Sequence, residues 1–332
     1  MSRAQRRWAV VAAALSVAVV VGVFTWRSGS RSSWGFQEFR LGAADIPVGI
    51  ASSPDGAIWF TLEASDTIGV VRNGTVQKIA KGADSVEPLG LAVDADGRAW
   101  YTEAPRQRIS RVSTDGTVAS FGLATPVARL GRLAIAPAGD VWFAETSLVS
   151  VTHLKDGRLT RHIVGSFAPG TPMDAAPFGV AVARDGTVWA TLQNVNKLLR
   201  IGPTGEKTAF DVPTRASGLS DVAVGGDGAV WFLEIAANKI GRFAEGRFEE
   251  FSVPTPIAGL IGIAVAPDGD AWFTELRGHR LGRVHAGIIT EFVLPRDDAR
   301  PFGIAVDAGN NVWYTDLGGW LGRLDADRAR AR

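Results

Sequence analysis

The chain has 332 residues, a formal net charge of +1, no cysteine and 46% hydrophobic residues. Near-neutral charge argues against a broad nucleic-acid surface, and the lack of cysteine excludes disulfides and thiolate metal or redox centres. The apolar fraction is ample for a buried core.

At the amino terminus, residues 1–7 form a basic stub with Arg3, Arg6 and Arg7, and residues 8–26 run uncharged from Trp8 to Trp26. Signal-peptide apolar regions span about 7–15 residues and a membrane-spanning helix about 20. No small-x-small cleavage site closes the run, so a single transmembrane anchor is expected. The arginines before it would keep the stub in the cytoplasm and place the rest outside. If the segment is instead a cleaved signal peptide, the product is secreted or periplasmic. Residues 27–34 read as a polar linker.

Beyond the linker one phrase recurs, clearest from Gly262 to Glu275, with a Trp at the same place in each copy. Those residues are Trp59, Trp100, Trp142, Trp189, Trp231, Trp272 and Trp313, separated by 41, 42, 47, 42, 41 and 41 residues. Seven copies at this period mark a radial repeat. Each copy contains four short β-patterned runs separated by Asx-Gly and similar turns, which suit antiparallel hairpins. The expected fold is all-β, a seven-bladed β-propeller of four-stranded antiparallel blades, occupying residues 35–324 and preceded by the one helix. Blades are expected at 46–84, 87–125, 128–164, 177–213, 217–254, 258–295 and 300–324. The last lacks an outer strand, and residues 35–41 resemble one, so they are expected to close blade seven and latch the ring. A closed ring leaves no edge that demands pairing, which predicts a monomer. The long fourth step places an insertion at 166–176, either a binding-face loop or a tolerated surface loop. Residues 325–332 read as a charged, frayed tail.

In a four-stranded meander the start of the first strand and the end of the second share an edge. That puts the Pro-x-Gly steps on the same mouth as Glu63, Glu103, Glu145, Glu234, Glu275 and Asp316, with Gln193 interrupting the series. Carboxylates so placed suit Mg2+ or Ca2+ through oxygen ligands. They equally suit neighbouring backbone N–H groups or pairing with Lys239 and Arg280. Glu87, Glu103, Glu275 and Asp316 are the candidate metal ligands. His279, four residues after Glu275 on the same face, is the candidate base, although Asn238 and Gln107 in its place point to loop shaping. His153, His162 and His285 read as solvated surface. Leu89, Phe178 and Phe302 offer an apolar ligand-binding face.

The repeat, with its Pro-x-Gly steps, the Trp-Phe-Thr-Glu run at Trp272 to Glu275 and the Asn-Lys-Ile-Gly-Arg run at Asn238 to Arg242, resembles the streptogramin B (virginiamycin B) lyases. The resemblance covers residues 35–324. It implies a seven-bladed propeller that linearises a cyclic depsipeptide by Mg2+-dependent elimination, a His base removing a proton α to a carbonyl. In that family the base belongs to a Glu-Pro-His-Gly step and a second His to a Pro-His step one blade earlier. Here the steps carry Val48, Leu89, Phe178 and Phe302, with Leu130, Leu219 and Ile261 near that place in the less regular blades. Arg300 stands where the family's metal-binding Glu belongs, Asp316 matches its second metal acid, and Glu87 with Leu89 keeps an acid without a base. The function expected is a ligand- or envelope-protein-binding propeller without the His-based activity. The alternative is a lyase of the family type or a lactonase-like hydrolase.

Overall fold

The computed structural model describes residues 22–24, 35–42, 44–63, 65–81, 88–123, 129–165 and 175–330. Seven antiparallel sheets stand in sequence order around one axis. Their innermost strands are Ile46–Ser52, Leu91–Val93, Leu130–Ile135, Pro177–Val182, Leu219–Val224, Leu260–Val265 and Pro301–Val306. The second strands carry the repeated Trp and are Ile58–Glu63, Ala99–Glu103, Val141–Glu145, Val188–Leu192, Val230–Glu234, Ala271–Glu275 and Val312–Asp316. Both faces of each second strand are covered by neighbouring blades, which explains their near-continuous burial and their lack of polar alternation.

Aromatic packing fixes the distance between second and third strands. The rings of Phe60, Phe232, Phe273 and Tyr314 lie across Gly69, Gly241, Gly282 and Gly322, where a Cβ would sit about 2 Å from ring carbon. Any side chain there would displace the ring. On the opposite faces the third-strand arginines Arg111, Arg242, Arg283 and Arg323 lie over Trp100, Trp231, Trp272 and Trp313 at 5.2 to 5.8 Å. Their aliphatic stems thereby cover the indoles while the charge meets the π-face.

The ring closes with the amino-terminal strand Phe36–Arg40 as the outer strand of blade seven, paired antiparallel with Trp320–Leu324. Phe36 is 2% exposed and packs edge-on against Tyr314. Tyr314 donates its hydroxyl to Glu38 at 2.9 Å, and Arg296 contacts the same carboxylate at 3.2 Å.

Two expectations change. The tail is not frayed through residue 330: Ala326–Arg330 forms a short helix, Ala329 is buried, and Arg283 donates to its carbonyl at 2.6 Å. Of the expected span 8–26 only residues 22–24 are described, and they form a strand rather than a helix. It pairs antiparallel with the outer strand Thr75–Ala80 of blade one, whose free edge accepts this β-branched and aromatic stretch. No helix among the described residues is long and apolar enough to cross a membrane. Residues 166–174 of the expected insertion lie outside the described residues, whereas Ala175 and Ala176 are buried against blade four.

Phe36→Ala removes a buried ring at the only seam joined by the two ends of the propeller. It is expected to lower the unfolding free energy by about 3–5 kcal/mol in urea titration. A loss below about 1 kcal/mol would mean the latch contributes little.

Candidate functional site at the mouth of the propeller

The first strands begin at one end of the axis, and register identifies equivalent places there. Pro47, Pro177, Leu219, Leu260 and Pro301 pair with Leu62, Leu192, Glu234, Glu275 and Asp316. The mouth residue in each blade is the next one, giving Val48, Leu89, Gly131, Phe178, Ser220, Ile261 and Phe302. Leu130 and Leu219 are therefore one place earlier, on the proline position. Leu89, Phe178, Ile261 and Phe302 are half-buried, and Val48 is 5% exposed. Five apolar side chains thus dominate the ring, and the three expected binding residues occupy equivalent places in blades two, four and seven.

Following the mouth residue is Gly49, Gly90, Gly179, Gly262 or Gly303. At Gly179 an added Cβ would come within 2.5 Å of the Ser220 carbonyl, and at Gly303 within 2.4 Å of that of Val48. Inner strands can approach this closely only without a side chain. Blades three and five break the pattern with Arg132 and Asp221, whose side chains meet across the axis. Arg132 Nη2 lies 3.3 Å from Asp221 Oδ2, and Nη1 donates to the Leu89 carbonyl at 2.9 Å. Sequence reading missed this pair. The available signal was the replacement of Pro-x-Gly by Leu130-Gly131-Arg132 and Leu219-Ser220-Asp221.

The carboxylates do not form the expected acid-lined mouth. Their partners lie on third strands, outer strands and linkers, so the side chains run outward through the blades. Glu103, 0% exposed, receives Arg108 at 2.5 Å and the Ser110 hydroxyl. Glu145 receives Arg161 at 2.7 Å, Ser150 at 3.1 Å and Thr152. Asp316 receives Arg296 at 2.5 Å and the backbone N–H groups of Arg300 and Gly318 at 2.8 and 2.6 Å. In blade one, register puts Leu62 rather than Glu63 at the acid's place. Lys239 and Arg280 face outer-strand acids, Lys239 at 2.9 Å from Glu250 and Arg280 at 3.7 Å from Glu291.

Glu234 and Glu275 are also 0% exposed, and no basic group among the described residues forms an ion pair with either. Burial, reinforced by Glu250, pushes the Glu234 carboxyl up to about 7. Burial with Glu291 nearby pushes Glu275 up to about 8. Among the described residues, no three His, Asp or Glu side chains converge to hold a metal ion. Glu87 lies outside the described residues.

The histidines are placed elsewhere. His279 adopts φ 55°, as Asn196 and Asn238 do at the same turn with φ 56°, and its Nδ1 contacts the Ala299 carbonyl. Asn238 performs the equivalent task with its side chain, accepting from Ala258 N–H and donating to the Thr255 carbonyl, both at 2.9 Å. His279 therefore shapes the linker into blade seven. His153 and His162 are half-buried rather than solvated, because His153 stacks on Trp142 at 4.4 Å and His162 packs tilted against it at 5.0 Å. His285 is exposed and reaches Asp270 at 2.6 Å.

A closed seven-bladed ring of four-stranded antiparallel sheets, with an apolar mouth at the start of its inner strands, defines the class as a seven-bladed β-propeller. The family model described as virginiamycin B lyase matches residues 32–167 and 157–330, and the chain belongs to that family. A virginiamycin B lyase of Nocardia farcinica is 36% identical over 196 residues, which span 59% of this chain and 65% of that protein. Among solved structures, a catalytically inactive histidine-to-alanine variant of virginiamycin B lyase from Staphylococcus aureus, with quinupristin, superposes with TM-score 0.79 and 29% identity. That match covers 87% of this chain and 98% of the other. A streptogramin B lyase structure gives TM-score 0.78 and 28% identity, covering 87% and 96%.

The Mg2+ that the family implies does not fit the described residues. Asp316 is already neutralised by Arg296 and accepts the backbone N–H groups of Arg300 and Gly318. A divalent ion would have to displace these donors and face the Arg296 charge.

Glu234 and Glu275 make stability pH-dependent. Their folded pKa values lie above the unfolded value of 4.5, so the folded chain holds protons that the unfolded chain has released. The stabilisation is complete below about 4.5 and declines as pH rises through about 7 and about 8. Glu275→Gln should match the parent near pH 4.5 and exceed its stability at pH 8.5. The gain should be on the order of 1.4 kcal/mol per pH unit of the window. Equal pH profiles for the two proteins in urea titrations would refute this.

Proposed function

We propose that the chain is a membrane-anchored, extracytoplasmic propeller whose mouth binds an apolar ligand or an apolar patch of an envelope protein, without the family's histidine-based elimination. The observation that carries this reading is the composition of the mouth ring. Val48, Leu89, Gly131, Phe178, Ser220, Ile261 and Phe302 include no side chain basic enough to remove a proton near neutral pH. The four histidines of the chain stand elsewhere, two on Trp142, one on Asp270 and one shaping a linker. In the Staphylococcus aureus relative, a histidine-to-alanine change suffices to give a catalytically inactive protein. Phe and Leu at the mouth nevertheless retain what binding requires, namely apolar surface on a rigid scaffold.

Anchoring is supported by Arg3, Arg6 and Arg7 ahead of the uncharged residues 8–26, of which residues 22–24 would exchange their pairing with blade one for the membrane. The full chain is expected to sediment with membranes, and deletion of residues 8–26 should release it. Sedimentation unaffected by the deletion would overturn this part of the reading.

Family membership favours a second reading, in which the chain is a Mg2+-dependent carbon–oxygen lyase or a lactonase-like hydrolase. One experiment separates the two. The full chain is incubated with quinupristin, with and without Mg2+, following binding by tryptophan fluorescence and conversion by chromatography with mass spectrometry. Elimination opens the ring without changing mass, so retention time and fragmentation report it, whereas hydrolysis adds one water. The proposal expects saturable binding, weakened about tenfold by Phe302→Ala or Phe178→Ala, with no linear product. Linear product that needs Mg2+ and disappears in His279→Ala would establish the lyase. Failure to bind at all would overturn the mouth as a seat for this ligand class.

A further inference from the structure

Beneath the mouth, the axis is lined by one branched aliphatic side chain per blade: Ile50, Leu91, Leu133, Val180, Val222, Ile263 and Ile304. Arg132 and Asp221 lie at the top of this girdle, beside a cavity of about 130 Å3. That is room for about four waters at their liquid volume. The Arg132 side chain is 13% exposed and that of Asp221 12%. One guanidinium therefore joins its own blade three to the Leu89 carbonyl of blade two and to the Asp221 carboxylate of blade five. Asp221 Oδ1 accepts its neighbour's N–H, from Val222, at 3.0 Å. Arg132 Nε is shut from solvent and has no hydrogen-bond partner among the described residues.

Packing alone does not account for this arrangement. Five blades use glycine at the same step. Placing an ion pair in an apolar neck costs desolvation of both charges, and apolar residues of similar volume are often no less stable. What the pair supplies is a closed floor and a donor. With one N–H of Nη1 and one of Nη2 engaged, each Nη keeps a second N–H, and it is these, not the solvent-shut Nε, that the partly exposed guanidinium offers to the polar void. Because the ion pair is neutral overall, a neutral acceptor suits those donors better than a second anion.

We propose that the Arg132–Asp221 pair plugs the axis, turning the mouth into a closed-bottomed cup, and that the remaining Nη N–H groups of Arg132 donate to an ester or amide carbonyl oxygen of the ligand bound there. The inference rests on the mouth being the binding site. It names the polar feature that the ligand of an otherwise apolar cup would carry.

The plug is tested by melting Arg132→Gly, Asp221→Gly and the double variant, all of the full chain at pH 8. Each single change leaves a buried charge without its partner and should lower Tm by roughly 5–10 °C, whereas the double change restores the glycine of the other blades and should regain more than half of the loss. Additive losses would overturn the plug. Asp221→Asn, which preserves shape, replaces Asp221→Gly if the latter does not fold.

The donor role is read from the Arg132 Nη–H resonances, assigned by their loss in Arg132→Lys, during titration with N-methylacetamide. A saturable shift, stronger than acetate produces, is expected. No shift, or an equal shift with acetate, would overturn the carbonyl seat. Should the probe move the resonances while Phe302→Ala and Phe178→Ala leave quinupristin binding unchanged, the mouth reading falls and the seat stands. If the aromatic variants weaken binding but the resonances are still, the seat alone falls.

Discussion

The fold depends on two hydrogen bonds made through one threonine hydroxyl, repeated at the seams between blades. A second-strand threonine receives the N–H of its own inner-strand glycine and donates its hydroxyl to a carbonyl of the next blade. Thr61 accepts from Gly49 at 2.8 Å and donates to Pro88 at 2.9 Å. Thr274 accepts from Gly262 at 3.0 Å and donates to Phe302 at 2.8 Å. Thr315 repeats the pattern between Gly303 and Val48, at 2.8 and 2.7 Å, so the last blade is joined to the first by the same device. The glycine supplies the clearance, and the hydroxyl satisfies a buried donor and a buried acceptor at once. These seam groups are buried, and an unpaired backbone group there would cost about 1–3 kcal/mol. The Trp-x-Thr pattern is therefore a seam requirement as much as a core requirement.

This explains why the fold was legible from sequence and the site only partly so. Repetition multiplies evidence: seven Trp residues at a steady period and recurrent turns leave little freedom in blade number or strand order. The latch was legible as well, because an orphan outer strand at 35–41 matched a missing one after Leu324. Face and direction were not. Glu63 and Leu62 differ by one residue, and in a strand that step exchanges the two faces. Only register shows that Leu62 holds the place taken by Glu234 and Glu275 in other blades. That these acids point outward follows from partners such as Arg108, Arg161 and Arg296, which lie 5 to 20 residues away in sequence and in no constant pattern. Arg132 and Asp221 are 89 positions apart and look individually like surface charges. Nothing local indicates that they meet.

The acids also show how one position can be used in two ways. In blades two, three and seven the carboxylate is matched by an arginine from the third strand, the outer strand or the preceding linker. In blades five and six the neighbouring base is drawn to the outer-strand acid. Glu250 and Glu291 each also take the N–H and hydroxyl of a linker threonine, Thr214 and Thr255. With the base engaged there, the inner carboxyl keeps its proton instead. Both arrangements avoid a bare buried anion, one by pairing and the other by protonation. A conserved-looking acid in a repeat is thus weak evidence for a metal, since the fold itself consumes the charge.

Family membership and mouth chemistry therefore belong to different layers of the same chain. The seams, the Trp–Arg faces and the latch keep the axis and its mouth at the geometry shared with the lyases, whatever the mouth residues are. Those residues project from strands whose backbone bonds are already satisfied, so Phe or Leu can stand there without disturbing a seam. Of a base, apolar area and rigidity, Phe and Leu supply only the last two. Elimination needs all three together with a cation site, and binding needs only the last two. The Arg132–Asp221 pair adds a constraint in the same direction. It occupies the axis with charge held between blades, beneath a rim of apolar side chains.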